Sequence, residues 1–317
     1  MQRRKFISNT AAVGLVIPLS VHALPGIASS INKRKTTPFV CMFSKHLQWL
    51  DYDDMAGMAK KLGFDGIDLT VRPGGHVLPE RVERDLPKAV EAIRKKGLSI
   101  PMITTRILEA NHPITHKILR TAGNLGILVY RTGWWRYRGE PVMSLLKDKN
   151  KEMKELAEIN QKYGIKGAYQ NHAGNYVGAP CWDLLELLDG VPPEWMGVQF
   201  DIRHAHVEGA MSWPQNLEIL APYINSIDIK DYRWEKENES WKLKNVPLGE
   251  GMVDFDTFFK LLHTFTIKAD FSIHYEYPLG GADHGKKELT ITIDEFEDIV
   301  GRDLQYFKNH FTIIERQ

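Results

Sequence analysis

A single pattern repeats eight times between residues 38 and 310: a short apolar or β-branched run, then a longer segment. In most of these longer segments, apolar residues fall at i, i+3, i+4 and i+7, which places them on one face of a helix. Met55, Met58, Ala59 and Leu62 show this spacing. We therefore expect strand and helix to alternate along the chain. The eight predicted strands span residues 39–43, 66–71, 98–104, 127–130, 165–170, 196–201, 224–230 and 271–276.

Residues that favour helix ends lie at the ends of the periodic segments. Glycines follow four of these segments, at positions 63, 97, 126 and 164. A glycine adopts the left-handed conformation that commonly ends a helix without a steric penalty. Asp51 and Asp294 precede periodic segments, where a side-chain oxygen can accept a hydrogen bond from a free backbone N–H. These signals predict helices that start after the two aspartates and stop at the glycines.

Alternating strands and helices produce a parallel sheet, because each helix carries the chain back to the same end of the sheet. Eight such units within about 275 residues predict closure into a single-domain (β/α)8 TIM barrel, which we assign to residues 38–312. The alternative is an open, doubly wound sheet. No Gly-x-Gly-x-x-Gly or Walker loop follows any predicted strand, so the usual ligand-binding motif of that fold is missing.

Residues 1–30 have the composition of an export signal followed by the start of a mature tail. Basic residues at positions 3–5 precede an apolar stretch at 11–21, which is shorter than the roughly 18 residues that span a bilayer. The adjacent Arg3 and Arg4, followed by Lys5, Phe6 and Ile7, resemble a twin-arginine signal. We expect an exported, periplasmic protein with no stable membrane span in its mature form. An ordinary Sec signal or an uncleaved anchor is the alternative.

The overall charge and the cysteine content exclude several kinds of function. The 41 Lys and Arg residues balance 40 Asp and Glu residues, for a net charge of +1. Such a chain lacks the positive field that general nucleic-acid binding needs, and we expect no nucleic-acid partner. Its two cysteines, Cys41 and Cys181, cannot form a disulfide framework or a cysteine-rich metal site. Any metal site must therefore use oxygen and nitrogen ligands.

Polar residues cluster at the ends of the late predicted strands. In a barrel, the carboxyl ends of the strands form the mouth where active sites lie. Asp201, Asp228 and Glu276 lie near the ends of three of these strands, and their side chains converge if they point inward. Carboxylates packed together need either basic partners or a cation. We expect one divalent ion, held by Gln170, Asp201, Asp228 and Glu276, with Mn²⁺ or Mg²⁺ as the most suitable ions and Co²⁺ or Zn²⁺ as alternatives.

Aromatic and basic residues, most of them after the early strands, suggest a sugar-sized ligand. Indole faces can cover the apolar face of a sugar ring, and a guanidinium can bind an anion. The alternative is that the aromatic residues close the barrel as apolar plugs. We expect a small sugar or glycoside as the ligand, and a homo-oligomer is compatible with the sequence. The predicted substrate-binding residues are His46, His76, Trp134, Trp135, Arg136 and Asn171.

Five short motifs lie at or after the late predicted strands, one after another along the chain. They are Gln170-Asn171-His172, Asp201-Ile202-Arg203-His204, Asp228-Ile229-Lys230-Asp231, Leu248-Gly249-Glu250-Gly251 and Glu276. Together they resemble the motifs of the xylose isomerase-like barrels, a family of sugar isomerases and epimerases, over about residues 38–310. The resemblance implies a metal held after strands 5 to 8, which here means Gln170, Asp201, Asp228 and Glu276. It also implies a substrate contact at His204.

Two positions depart from the family pattern. Gln170 stands where the family has a Glu, and Asp228 stands where it has a His. Family epimerases use two carboxylates to move a proton on opposite faces of the substrate, and an amide has no accessible pKa for that role. We therefore do not expect the symmetric two-base reaction.

These features together predict a metal-dependent sugar isomerase or epimerase-type enzyme that removes a proton beside a sugar carbonyl through an enediolate. Glu276 is the predicted base, with His172 or His204 as a second candidate, and Lys230 can donate to the developing oxyanion or act as an acid. Loss of a leaving group from the same enediolate makes a 3-keto-glycoside lyase or hydrolase the first alternative. A non-catalytic carbohydrate-binding protein and a metal-dependent nuclease are alternatives from other classes.

Overall fold

The structure is a computed structural model that describes residues 38–315, so the predicted export signal lies outside the described residues. Eight of the ten strands form one closed parallel barrel, which confirms the predicted (β/α)8 fold. All eight predicted strands are present, with ends that differ by at most three residues. The strands are β1 (Val40–Phe43), β2 (Gly66–Thr70), β3 (Ser99–Thr104), β4 (Val129–Arg131), β5 (Lys166–Gln170), β6 (Met196–Asp201), β7 (Ile224–Ile229), β8 (Asp231–Glu237), β9 (Ser240–Val246) and β10 (Asp270–Ile273).

Nine α-helices connect the strands within residues 38–315, and β10 closes the ring by pairing with β1 and β7. Buried helix faces, such as that of Met55 and Ala59, belong to the main apolar core. None of the helices in this part of the chain is long and apolar enough to cross a membrane. The helices are α1 (Tyr52–Leu62), α2 (Val82–Lys95), α3 (Pro113–Asn124), α4 (Val142–Tyr163), α5 (Asp183–Leu187), α6 (Ile202–Gly209), α7 (Trp213–Leu220), α8 (Phe255–Thr264) and α9 (Ile293–Glu315).

Most of the helix boundaries follow from local sequence signals. Gly63 and Gly164 end α1 and α4 in the left-handed conformation, with φ of 90° and 65°. Asp51 caps α1 by accepting a hydrogen bond from the backbone N–H of Asp54. The predicted cap at Asp294 is wrong, because Thr292 Oγ1 accepts from the N–H of Glu295 and the Glu295 carboxylate accepts from the N–H of Thr292. This reciprocal capping box starts α9 two residues earlier.

Side chains inside the barrel change from apolar to polar along the strands. Cys41, Met102, Val129 and Ala168 form a buried apolar cluster. Side chains alternate along a strand, so the next inward positions on β3, β4 and β5 are two residues further on. Those positions are polar, and the one on β4 is Arg131. The polar interior is therefore at the carboxyl end of the barrel, which is the mouth.

A hairpin that the sequence analysis did not predict follows β7. Its two strands, β8 and β9, pair in the antiparallel sense along their full length. Near the base, Asn245 accepts a hydrogen bond from Arg203 at 2.7 Å and donates one to the backbone oxygen of Glu276 at 3.3 Å. The base of the hairpin is therefore fixed to the mouth of the barrel.

Candidate active site

The mouth holds a cluster of charged and polar side chains from four neighbouring strands. The register of β6 and β7 places Asp201 beside Asp228. Gln170, at the end of β5, contacts both carboxylates. Lys230 follows β7, and its ammonium lies between Asp201 and Glu276. The structure thus brings these five predicted residues together.

The orientation of the Gln170 amide is fixed by Arg131 on the neighbouring strand. Nη1 of Arg131 donates to Oε1 of Gln170 at 3.0 Å, and a guanidinium can only donate. The amide nitrogen therefore faces the carboxylates, where it donates to Oδ2 of Asp201 at 2.8 Å and to Oδ2 of Asp228. A glutamine binds a metal through its oxygen. In this arrangement Arg131 engages that oxygen, and the assignment of Gln170 as a metal ligand stays a prediction.

Lys230 occupies the space between two of the carboxylates expected to bind a metal. Its Nζ lies 2.8 Å from Oδ2 of Asp201 and 3.3 Å from Oε1 of Glu276. Burial alone would lower the pKa of Lys230, but the neighbouring carboxylates, Asp201 first among them, raise it above its usual value. An ammonium therefore balances these carboxylates. Gln170 presents its amide nitrogen and Lys230 its ammonium to these carboxylates, and the four-ligand metal site suggested by the sequence stays a prediction.

Glu276 is the most accessible carboxylate of the cluster. Its side chain is 28% exposed, whereas those of Asp201 and Asp228 are fully buried. Burial acts to raise the pKa of Glu276, but Lys230 and Lys45, whose Nζ is 3.9 Å away, hold it well below its usual value. The carboxylate is therefore ionised at neutral pH and can accept a proton from a ligand in the mouth.

A second, fully buried group of ligand atoms includes Asp228 but otherwise differs from the predicted set. Carboxylate oxygens of Asp68 and Asp228 and a ring nitrogen of His274 lie within 4.8 Å of one another. Nε2 of His274 is 3.3 Å from Asp228 and 3.8 Å from Asp68. Burial raises the pKa of both aspartates and lowers that of His274. A divalent ion would stabilise the ionised carboxylates and bind the neutral imidazole, so this group can hold a metal.

Sequence reasoning missed two members of this group for different reasons. Asp68 lies inside the apolar run at 66–71, so it was assigned to a strand and not to the site. An aspartate in such a run needs partners, and Asp68 accepts hydrogen bonds from Thr104 and Ser272, each at 2.9 Å. His274 lies two residues before Glu276, so the alternation of a strand already places both on one face. Both signals were present in the sequence.

Two predicted catalytic histidines stack beside the charged cluster. The rings of His172 and His204 lie 4.1 Å apart. Nδ1 of His172 is 2.9 Å from the backbone oxygen of Ala173, which can only accept, so the proton is on Nδ1 and the lone pair is on Nε2. Burial lowers the pKa of His172 to about 4. His204 accepts from Arg203 through Nδ1 and lies 3.3 Å from Lys230 through Nε2.

Two predicted substrate contacts, His46 and Asn171, hold the backbone instead. Nδ1 of His46 is 3.1 Å from the oxygen of Ala282, and its Nε2 accepts from the N–H of Tyr275 at 3.0 Å. Asn171 donates to the backbone oxygen of Asp201 at 3.0 Å and accepts from its N–H at 2.7 Å. The polar atoms of both side chains are engaged in these contacts, and their assignment as substrate-binding residues stays a prediction.

His76 and Trp135 also contact other parts of the protein. Nε2 of His76 is 3.1 Å from the backbone oxygen of Leu47, and its Nδ1 is 3.4 Å from the hydroxyl of Thr70. Trp135 stacks on Tyr169 with ring centroids 5.5 Å apart. These contacts account for both side chains without a ligand, and they fit the alternative in which such aromatic residues close the barrel.

Of the remaining predicted contacts, Trp134 lies in the mouth and Arg136 is exposed. Arg136 donates to the side chain of Asn175 at 3.2 Å. The ring of Trp134 lies 5.0 Å from His172 and 4.6 Å from the guanidinium carbon of Arg131. Trp134 is therefore the predicted aromatic residue that is placed to contact a ligand beside the charged cluster.

The fold and the order of the strand-end residues are matched by a known family. The chain belongs to the xylose isomerase-like TIM barrel family, whose model matches residues 57–296. This match confirms the resemblance inferred from the strand-end motifs. No curated protein matches the chain.

Several solved structures share the fold at low sequence identity. A D-allulose 3-epimerase from Methylomonas sp. is 15% identical, with 86% of this chain and 98% of that chain covered and a TM-score of 0.63. A xylose isomerase-like TIM barrel protein from Mycobacterium smegmatis, in complex with magnesium, is 14% identical, with coverages of 88% and 98% and a TM-score of 0.62. The 3-keto-D-glucoside 4-epimerase from E. coli is 11% identical, with coverages of 84% and 99% and a TM-score of 0.62.

Proposed function

We propose that the protein is a sugar isomerase or epimerase-type enzyme that removes a proton from the carbon beside a sugar carbonyl. Family membership and the likeness to sugar epimerases support this class. The observation that carries the proposal is the partly exposed, ionised carboxylate of Glu276, with the ammonium of Lys230 3.3 Å away. During such a reaction, negative charge moves from the base to the carbonyl oxygen. A base beside a fixed cation suits that movement.

In the proposed reaction, Glu276 takes the proton of the C–H bond. The C–H electron pair forms a carbon–carbon double bond, and the carbonyl oxygen becomes the oxyanion of an enediolate. Lys230 donates a hydrogen bond to that oxyanion, in a buried site where such a bond is strong. Return of the proton to the neighbouring carbon, with transfer of the hydroxyl proton to the former carbonyl oxygen, interconverts an aldose and a ketose. Return to the original carbon from the opposite face inverts that centre.

Inversion needs a second group that moves a proton, and Gln170 cannot be that group because an amide does not titrate in the accessible range. His172 meets the requirement better. It is neutral at pH 7, its Nε2 carries the free lone pair, and its ring packs against Trp134 in the mouth. We therefore assign inversion to an unlike pair. Glu276 removes the C–H proton, and His172 takes up a proton from solvent on Nε2 and delivers it to the opposite face of the carbon, after which Glu276 releases its proton to solvent.

A divalent ion would be held by Asp68, Asp228 and His274. The carboxylates suit Mn²⁺ or Mg²⁺, and the imidazole also suits Co²⁺ or Zn²⁺. When bound, the ion supplies positive charge that favours an oxyanion close to it. Asp201 and Glu276 remain paired with Lys230 in this arrangement. The proton chemistry of Glu276 is therefore set by lysine contacts.

Deuterium incorporation tests the proposal directly. The protein, supplied with Mn²⁺, is incubated in heavy water with a panel of aldoses, ketoses and 3-keto-glycosides, and the products are examined by NMR. We expect deuterium at the carbon beside the carbonyl of at least one sugar, and none with heat-inactivated protein. Release of the aglycone together with the exchange would identify elimination rather than isomerisation. Sugar binding with no exchange in any member of the panel would show a non-catalytic binding protein and overturn the proposal.

A further inference from the structure

The mouth has two halves of different chemistry. The acidic half consists of Gln170, Asp201, Asp228, Lys230 and Glu276. The basic half consists of Lys45, Arg72, Arg131 and Trp134, which lie at or after β1, β2 and β4. The three cations of the basic half surround the ring of Phe43. Their charged groups lie 5.8, 5.4 and 5.9 Å from its centroid for Lys45, Arg72 and Arg131.

Several hydrogen-bond donors in the basic half have no hydrogen-bond partner among the residues that the structure describes. The guanidinium of Arg72 makes no hydrogen bond or ion pair with any residue between 38 and 315. Arg131 is 4% exposed, and its Nε–H is buried without a partner. The indole N–H of Trp134 is also buried and unpartnered, and its ring lies against Arg131. A buried donor without a partner is unfavourable, so a ligand that satisfies these donors is expected.

The nearby acids make their hydrogen bonds and ion pairs with other groups within residues 38–315. Glu276 faces Lys230 at 3.3 Å, and Asp68 accepts from Thr104 and Ser272. Burial, together with the charges of Arg131 and Arg106, lowers the pKa of Arg72 to about 10. The opposite charges of Asp68 and Glu276 act to raise this pKa but do not offset the lowering. An anionic ligand would supply negative charge beside Arg72 and acceptors for the unpartnered donors, because carboxylate and phosphate oxygens only accept hydrogen bonds.

We propose that the basic half of the mouth binds an anionic oxygen group of the substrate, so that the enzyme acts on an acidic sugar. The inference rests on the proposed function for the reacting end of the sugar. Lys45 links the two halves, since its Nζ lies over Phe43 and 3.9 Å from Glu276. An acidic sugar can therefore present its anionic group to Arg72 while its carbonyl carbon faces Glu276. A carboxylate and a phosphate share this chemistry.

Calorimetric titrations with matched sugars test the anion site. The probes are glucose, glucuronate and glucose 6-phosphate, with galactose and galacturonate as a second pair, all in 150 mM NaCl. We expect the wild-type protein to bind at least one acidic sugar about tenfold more tightly than its neutral partner. Arg72→Gln should remove most of this preference. Arg302→Gln, which replaces an exposed arginine outside both halves, is the matched control and should keep the preference.

The two acidic arms distinguish a sugar carboxylate from a sugar phosphate. Equal binding of acidic and neutral sugars by the wild-type protein would overturn the inference. So would a preference that persists in Arg72→Gln, or sulfate binding as tight as that of any acidic sugar. The titrations measure binding, whereas the proposed function is tested by exchange in heavy water. A failure of the anion-site inference can therefore be distinguished from a failure of the proposed function.

Discussion

The acidic and basic halves of the mouth differ in how completely their polar groups are paired. In the acidic half, the amide of Gln170 and the ammonium of Lys230 each contact two carboxylate side chains. In the basic half, the guanidinium of Arg72 and the N–H groups of Arg131 Nε and Trp134 make no hydrogen bond within residues 38–315. Groups that stabilise a developing charge work best when the protein holds them in place beforehand. Groups that recognise a substrate can instead obtain their partners from it.

This difference has consequences for stability as well as for chemistry. Removing one member of a buried, paired network leaves a charge without compensation, which typically costs about 3–5 kcal/mol. Removing a donor that has no partner takes away a cost that is already present. Substitutions in the acidic half should therefore be damaging, and some substitutions in the basic half should be neutral or stabilising until the ligand is added.

The largest effect is expected for Glu276→Gln. The amide keeps the size of the side chain but cannot accept the substrate proton, so exchange in heavy water should fall by about 10²–10⁴-fold. Circular dichroism should show an unchanged fold. Glu91→Gln, on the exposed face of α2, is the matched control and should exchange at the wild-type rate. Activity within tenfold of wild type in Glu276→Gln would remove Glu276 from the role of base.

Lys230→Met should produce the next largest effect, on stability. It leaves the carboxylates of Asp201 and Glu276 without the ammonium that lies 2.8 and 3.3 Å from them. We expect the free energy of unfolding in urea at pH 7 to fall by about 3 kcal/mol. Lys236→Met, at an exposed position of the hairpin, should change it by less than about 0.5 kcal/mol. Equal effects in the two variants would show that Lys230 is not needed to balance the cluster.

The sequence predicted the barrel well because its signals are local. Each strand is a short run of apolar residues, and glycines such as Gly63 and Gly164 end helices by their own backbone preference. The hairpin was not predicted because its strands are not continuous apolar runs like those of the barrel. In β8 and β9, apolar residues alternate with charged ones. Its anchoring depends on contacts of Asn245 with Arg203 and Glu276, which are distant in the chain.

The site was predicted in its composition but not in its orientation. The alternation of side chains along strands was enough to bring Gln170, Asp201 and Asp228 together. Which atom of Gln170 faces the carboxylates depends on Arg131, 39 residues earlier, and no spacing rule links these two positions. The side chain of Lys230 is long enough to reach across the mouth. A residue list alone therefore could not separate a metal from an ammonium as the balancing cation.

The structure and the sequence point to different metal ligands. The structure favours a group that includes Asp68, and the sequence favours one that includes Gln170. Mn²⁺ should raise the unfolding temperature of the wild-type protein, and Asp68→Asn should weaken its apparent affinity by about tenfold or more. Gln170→Ala should change that affinity by less than about threefold, because the Gln170 oxygen is held by Arg131. Asp189→Asn, at an exposed position, is the control. The reverse order of the first two variants would place the ion in the acidic half.

The smallest effect is expected for a pair of tryptophan substitutions. They test whether the hydrogen-bond donors of the basic half are without partners. Trp134→Phe removes an indole N–H that has no partner, whereas Trp49→Phe removes one that donates to the backbone oxygen of His46 at 3.1 Å. Without a ligand, Trp49→Phe should lower the free energy of unfolding by about 1 kcal/mol, and Trp134→Phe should leave it unchanged or raise it slightly. The order should reverse for affinity towards an acidic sugar, which only Trp134→Phe should weaken. A loss of stability in Trp134→Phe as large as in Trp49→Phe would mean that the indole N–H of Trp134 has a hydrogen-bond partner even without a ligand. The contrast between the two halves would then rest on Arg72 and Arg131 alone.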